Sequence, residues 1–233
     1  MNKKLIAVVA GTCAVVAVPL LLLGENLPVS ADEQKKLTPK EVLDELMAGN
    51  KRYVEGKVSE PNIKARIEAS SSGQYPKAVI LSCLDSRVPV ELVFDQGIGD
   101  VFVGRVAGNV ENEDLLGSME FATKAAGAKL VMVLGHEACG AVKGACDKVE
   151  MGNLTGLLKK IEPAVKAVEG FAEAERTSKN HDFVEKVIEQ NVRQTVSDIR
   201  TSSPILAEME KKGEILIVGG LYSLEDGSVK LLE

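Results

Sequence analysis

Ala78-Val79-Ile80-Leu81-Ser82-Cys83-Leu84-Asp85-Ser86-Arg87 and Leu130-Val131-Met132-Val133-Leu134-Gly135-His136-Glu137-Ala138-Cys139-Gly140 share one arrangement. In each, an apolar and largely β-branched run stops at a cluster of ligand-type side chains. Apolar residues at consecutive positions read as strands buried on both faces of a parallel sheet. Both clusters then fall where strands end, the edge at which open α/β sheets build their sites.

Two thiols and an imidazole gathered at such an edge suit zinc best. Zinc takes Cys and His ligands, and three protein ligands leave a fourth position open. Residues two apart share a face in an extended segment, so Cys83, Asp85 and Arg87 point together as the chain leaves its strand. Residues three apart share a face in a helical turn, so His136 and Cys139 reach one ion. A carboxylate beside a guanidinium is held ionised by paired, charge-assisted hydrogen bonds. Arg87 and the metal therefore compete for Asp85. In an open state water takes the fourth position, and in a closed state Asp85 binds the metal. A structural zinc site with Asp85 as its fourth ligand is the alternative on these residues.

Working outward, strands and helices alternate. Strands are expected over residues 77–82, 100–105, 130–135 and 214–219, with an edge strand over 228–232 after the Asp226-Gly227 turn. Helices are expected over 90–94, 112–126, 140–149, 153–168, 182–201 and 203–212. This pattern gives an α/β fold: a mainly parallel central sheet flanked by helices. Ahead of it, Thr38-Pro39 starts a helix, and Val42, Leu43, Leu46 and Met47 form its apolar stripe. Residues 32–37 read as polar and loose, and 56–73 as a charged connector with a short helix near 63–69. Residues from 32 to about 70 thus form an amino-terminal helical arm on a domain spanning 32–233.

Residues 1–31 read as a signal peptide. Lys3 and Lys4 precede an uncharged apolar run over 5–23, and Val29-Ser30-Ala31 offers a cleavage site before Asp32. The rival is an uncleaved membrane anchor. Either puts the domain outside the cytoplasm, the periplasm being the expected compartment. Of four cysteines, Cys13 lies in the leader, and an odd set of three does not read as a disulfide framework. The chain has 233 residues, 45% hydrophobic and only 3% aromatic, so aliphatic side chains must fill its core. A net charge of -6 with no basic stripe argues against nucleic acid as a partner. Cys146 reads as a small buried apolar residue, and His181 as an exposed residue near a helix start.

The pair C-L-D-S-R and H-E-A-C-G resembles the beta-class carbonic anhydrases, over residues 74–222. Arg105-Val106-Ala107-Gly108-Asn109 resembles a further segment of that family. The resemblance implies zinc on Cys83, His136 and Cys139, with Asp85 and Arg87 as a catalytic dyad. It implies that Gln74 and the backbone N–H of Gly140 contact substrate. It also implies reversible hydration of carbon dioxide to bicarbonate by a zinc-bound hydroxide, in a homodimer or a multiple of dimers. Family members that bicarbonate shuts off carry Trp three residues before the first zinc Cys. Ile80 stands there, although Arg105 and Tyr222 match the other two residues of that inhibitory site. Two rivals remain: a related zinc hydrolase acting on a CO₂ analogue such as carbon disulfide, and a non-enzymatic zinc-binding protein.

Overall fold

The computed structural model describes residues 27–232, so residues 1–26 of the expected leader lie outside the described residues. Five strands form one sheet: β1 (Ala78–Ser82), β2 (Val101–Arg105), β3 (Leu130–His136), β4 (Leu216–Tyr222) and β5 (Val229–Leu232). Their order is β2-β1-β3-β4-β5, parallel except for β5, which runs antiparallel to β4. The chain leaves β1 towards β2 on one side and leaves β3 towards β4 on the other. The gap between β1 and β3 is therefore the topological switch point of the sheet, where a crevice opens at the strand ends.

β1 and β3 are buried along their whole length, as their unbroken apolar runs require. Alternate residues serve opposite faces. Ala78, Ile80, Leu130, Met132 and Leu134 pack with Val42, Leu46, Val93 and Phe94. Val79, Leu81, Val131 and Val133 pack with Met119, Val192, Val196, Ile199 and Leu206. A third cluster, holding Cys83, Cys139, Val142, Ile161, Phe183 and Val187, covers the carboxyl end of the sheet.

Among the described residues ten α-helices flank the sheet. Three precede β1: α1 (Ala31–Lys36), α2 (Pro39–Val54) and α3 (Ile63–Ser70). Between strands come α4 (Val90–Val93), α5 (Glu113–Glu120), α6 (Gly140–Cys146), α7 (Gly152–Leu158), α8 (Glu162–Ala167), α9 (His181–Ser202) and α10 (Pro204–Lys211). Among the described residues no helix is long and apolar enough to cross a membrane. α2 begins as expected, with Thr38 and Glu41 in a reciprocal capping box and Pro39 in the first turn. Gly49 lets α2 approach the body closely, since a Cβ there would stand 2.0 Å from the Phe94 carbonyl oxygen. Asn50 then ties three segments together. Its amide nitrogen donates to the carbonyls of Val93 (3.1 Å) and Gly227 (2.9 Å), and its oxygen accepts from the Val229 N–H (2.8 Å).

Several elements differ from the sequence expectation; the helix expected over 112–126 is α only to Glu120 and continues as a π turn over Phe121–Ala125. Residues 32–37 are not loose, because Ser30 and Glu33 form a capping box that starts α1. Gln34 buries its amide against the carbonyls of Pro76 and Ala126. The helix expected over 153–168 is two, α7 and α8, with Pro163 in the first turn of the second, where its missing N–H costs nothing. β4 runs on to Tyr222, because pairing with β3 continues through Gly135↔Leu221 and His136↔Tyr222.

The connector also hides an ion pair. Arg66 on α3 is 1% exposed, and its guanidinium meets Asp100 at 2.5 Å. Asp100 also accepts the Gly97 N–H, and the Arg66 Nε donates to the Ile98 carbonyl. Removing the guanidinium leaves the buried Asp100 carboxylate with only Lys77, at 4.0 Å, as a cationic neighbour, a loss of up to about 3–5 kcal/mol. Arg66→Ala should therefore lower unfolding stability by about that much in urea titration.

Candidate metal centre

The parallel register between β1 and β3 builds the site. Ser82 lies opposite Leu134, so Cys83 leaves β1 beside the end of β3, where His136 is the last strand residue. Arg105, at the end of β2, reaches back across β1. Its Nε donates to the Cys83 carbonyl (2.9 Å) and its Nη2 to the Asp85 carbonyl (2.5 Å), which holds the loop after β1. A single 3-10 turn, Ala107–Asn109, follows β2, and its Gly108 N–H donates to the Cys83 sulfur at 3.3 Å. Gly108 sits at φ +74°, and a Cβ there would stand 2.6 Å from Ile161 Cδ1, so only glycine fits.

On the other loop, His136 is fully buried. Its Nδ1 lies 2.8 Å from the Glu137 carbonyl oxygen, which can only accept. Nδ1 therefore carries the proton, and the Nε2 lone pair is free to bind. Nε2 is buried and has no hydrogen-bond partner. Ala138 adopts φ +52°, left-handed for a residue with a Cβ, and this turn swings Cys139 back towards His136. Cys139 stands just before α6, with the Ala141 and Val142 N–H groups turned to its sulfur.

The donor atoms of Cys83, His136 and Cys139 lie within 4.8 Å of one another, and among the described residues this is the one such cluster. The two sulfurs are 3.9 Å apart and not bonded to each other. Two sulfurs on a tetrahedral zinc, at about 2.3 Å each, stand about 3.8 Å apart. The spacing and the orphaned imidazole nitrogen both fit a metal ion.

Asp85 stands at the rim, its Oδ2 3.9 Å from His136 Nε2. Arg87 engages both of its oxygens: Nε donates to Oδ1 (2.9 Å), Nη2 to Oδ2 (2.7 Å), and the backbone N–H to Oδ1 (2.9 Å). Those hydrogen bonds hold the carboxyl well below the usual carboxylate range. A hydrogen bond from the Cys139 thiol lowers the Cys83 pKa to about 4. The same bond, together with burial, pushes Cys139 far above the usual thiol range. Burial opposes charge on His136, but the Cys83 sulfur, the Glu137 carbonyl and Asp85 leave its pKa raised overall.

Of the other residues singled out in the sequence, Gly140 is exposed beside Cys139 at the start of α6. Gln74 is exposed before β1, at the end opposite Cys83. The six residue steps from Lys77 to Cys83, extended, span about 20 Å, so one chain does not bring Gln74 to its own Cys83. Cys146 is buried among apolar side chains, and burial pushes its thiol up to about 11. His181 is 76% exposed, at the start of α9. Ile80 lies in the core, and the Tyr222 hydroxyl pairs with that of Tyr53 at 3.3 Å. The sequence reading did not single out Gly108 as a donor to a ligand sulfur, nor Glu137, whose carboxylate accepts the Leu224 N–H at 2.7 Å. The Gly-Asn pair after β2 was the available signal for the first. Nothing local marks the second.

An open α/β sheet with a Cys₂His donor set at its switch point, its nearest carboxylate engaged by an arginine, could hold a metal ion with one position left open. Comparison with known proteins places the chain more closely. A family model described as carbonic anhydrase matches residues 78–229. Carbonic anhydrase 2 of Mycobacterium tuberculosis is 35% identical over 192 residues, covering 80% of this chain and 89% of that protein. The carbonic anhydrase of Mycolicibacterium smegmatis is 36% identical over 188 residues, with the same coverage. The solved structure of the beta-carbonic anhydrase CcaA superposes with a TM-score of 0.64 at 26% identity, covering 82% of this chain and 87% of that one. The chain belongs to the carbonic anhydrase family, in its beta class.

The thiol pair gives a direct test. Metal-stripped protein should carry one thiolate of the pair already at neutral pH, since Cys83 ionises near 4. The second should appear only under strongly alkaline conditions, because it would set two thiolates side by side. Ultraviolet thiolate absorbance against pH, compared with Cys83→Ser, reads both steps.

Proposed function

We propose that this chain hydrates carbon dioxide reversibly to bicarbonate and a proton, at a zinc ion held by Cys83, His136 and Cys139. The observation that carries the reading is the engagement of Asp85. Both of its oxygens are taken by Arg87, so it stands beside the three-donor cluster without closing it. Zinc, when bound, supplies the Lewis acidity that makes water a nucleophile near neutral pH. Asp85, kept ionised, accepts a hydrogen bond from the attacking water and turns its lone pair towards the carbon. Arg87 keeps that acceptor in place and away from the metal. The Gly140 N–H, at the start of α6, is offered to an oxygen of the substrate.

The same reading makes the working unit a homodimer or a multiple of dimers. Gln74, proposed to contact substrate, stands about 20 Å along β1 from its own Cys83 and so serves the site of a second copy. Ile63 and Ile67, one turn apart on α3, are more than half exposed, and Phe121 is 58% exposed beside the free edge of β2. These apolar side chains suit an interface. The beta-carbonic anhydrases of Sordaria macrospora, whose fold this chain shares at a TM-score of 0.60, are described as tetrameric. Export is part of the proposal, on the strength of Lys3-Lys4 and the apolar run after them. So is an absence of bicarbonate shut-off. Ile80 fills the core where inhibited members carry Trp, and Arg105 and Tyr222 spend their polar groups within the chain.

Cys83→Ser and His136→Ala should each lose zinc, by metal analysis, together with stopped-flow hydration activity. Arg87→Ala should keep its zinc and lose about 10²-fold in rate, because Asp85 is released from its orienting position. A fully active zinc-free variant would overturn the assignment.

Light scattering should give at least twice the chain mass. Gln74→Ala should lower activity while each chain keeps its full zinc content. An active monomer at assay concentration contradicts the shared site.

A further inference from the structure

The helix α9 touches the loop that bears His136 and Cys139, and the turn after β2 that faces the Cys83 sulfur, through two polar side chains that the proposed chemistry does not use. Glu185 Oε1 accepts the N–H of Ala138 at 3.0 Å. Ala138 is the left-handed residue between His136 and Cys139, a conformation that costs a residue with a Cβ about 1–2 kcal/mol. Its amide is thus held from outside the loop by a carboxylate oxygen, one of the stronger acceptors available. Asn191, 2% exposed, donates its amide to the Gly108 carbonyl at 2.8 Å. Gly108 is the left-handed residue whose own N–H points at the Cys83 sulfur. Each of these segments therefore turns through a left-handed residue, Ala138 in one and Gly108 followed by Asn109 in the other, and each is gripped by one side chain of the same helix. α9 is itself anchored, with Val184, Val187, Ile188, Val192 and Val196 buried.

We infer that Glu185 and Asn191 are positioning residues for the metal centre, setting the His136–Cys139 spacing and the orientation of the Cys83 sulfur respectively. The inference rests on the reading of Cys83, His136 and Cys139 as metal ligands. Neither residue touches the ion or the substrate. Each acts through a backbone amide or carbonyl next to a ligand, as partners beyond the ligands commonly do in metal sites.

The grip works through hydrogen-bond acceptance at Glu185, so a neutral acceptor of the same reach should serve. The test compares Glu185→Ala, Glu185→Gln and Asn191→Ala with the wild-type chain. Zinc affinity is measured by competition with a chromophoric chelator, and cobalt substitution gives the thiolate charge-transfer and d–d spectra. Glu185→Ala should bind zinc about 10–100-fold more weakly and shift the cobalt spectrum. Glu185→Gln should stay within about threefold of wild type, with an unshifted spectrum, as expected when only the accepted hydrogen bond matters. Asn191→Ala should weaken zinc similarly. Should that variant fold poorly, the Glu185 pair decides the question.

The metal-free stability of Glu185→Ala separates positioning from a general packing role. Positioning leaves the urea midpoint of the stripped protein near wild type and shrinks only the increment gained on adding zinc. Wild-type affinity and spectrum in Glu185→Ala would overturn the inference, as would a Gln variant as weak as the Ala variant. A wild-type chain that binds neither ion through thiolate would overturn the metal reading, and this inference with it.

Discussion

The pairing of β1 with β3 is the constraint on which the site depends. No short stretch of this chain holds the three donors. Cys83 comes from one strand end, and His136 and Cys139 come from the end of its neighbour. A slip of one residue in the register would turn every side chain of the strand to the other face. The core then protects the chemistry, because Ile80 and Leu81, facing opposite sides, lock β1 into one alignment. Stability and ligand geometry are the same property in this part of the molecule.

Within that frame, electrostatics decides what the donors do. Two sulfurs at 3.9 Å cannot both be charged without a cation between them, and the opposed shifts of Cys83 and Cys139 express this. The imidazole supplies a neutral donor, oriented by a single carbonyl. Of the two guanidiniums nearby, Arg105 holds backbone carbonyls and Arg87 pairs with the Asp85 carboxylate. The carboxylate is thus kept ionised and occupied at once.

Much of this was legible in the sequence. The two apolar runs gave the buried parallel strands, and the residues after them gave the donors and the dyad, because each feature lies within a few consecutive positions. Ile80 read as an ordinary strand residue, and that is how it packs. What escaped was carried by contacts distant in the chain. Arg66 looked like one charge among many in a connector, since its partner Asp100 is 34 positions away. Nothing local marks Glu185 and Asn191, and only the packing of α9 gives them their partners Ala138 and Gly108. α1 was missed for another reason. Its signal is a capping box rather than an apolar stripe, so a reading weighted towards hydrophobic period passes over it. Gln74 is implied only by the family resemblance, which does not reveal that the strand carries it away from its own Cys83.

Asn50 has a consequence for how the molecule is assembled. Its three hydrogen bonds join α2 to the end of α4 and to the turn before β5, and two of those partners lie 177 and 179 positions further along. The arm is synthesised long before the residues that complete its seat, Gly227 and Val229. Until then the apolar stripe of α2 has no complete surface to cover. Such long-range closure raises contact order and slows folding. It leaves the nascent arm in need of protection by a chaperone, or free to meet the arm of another chain emerging nearby.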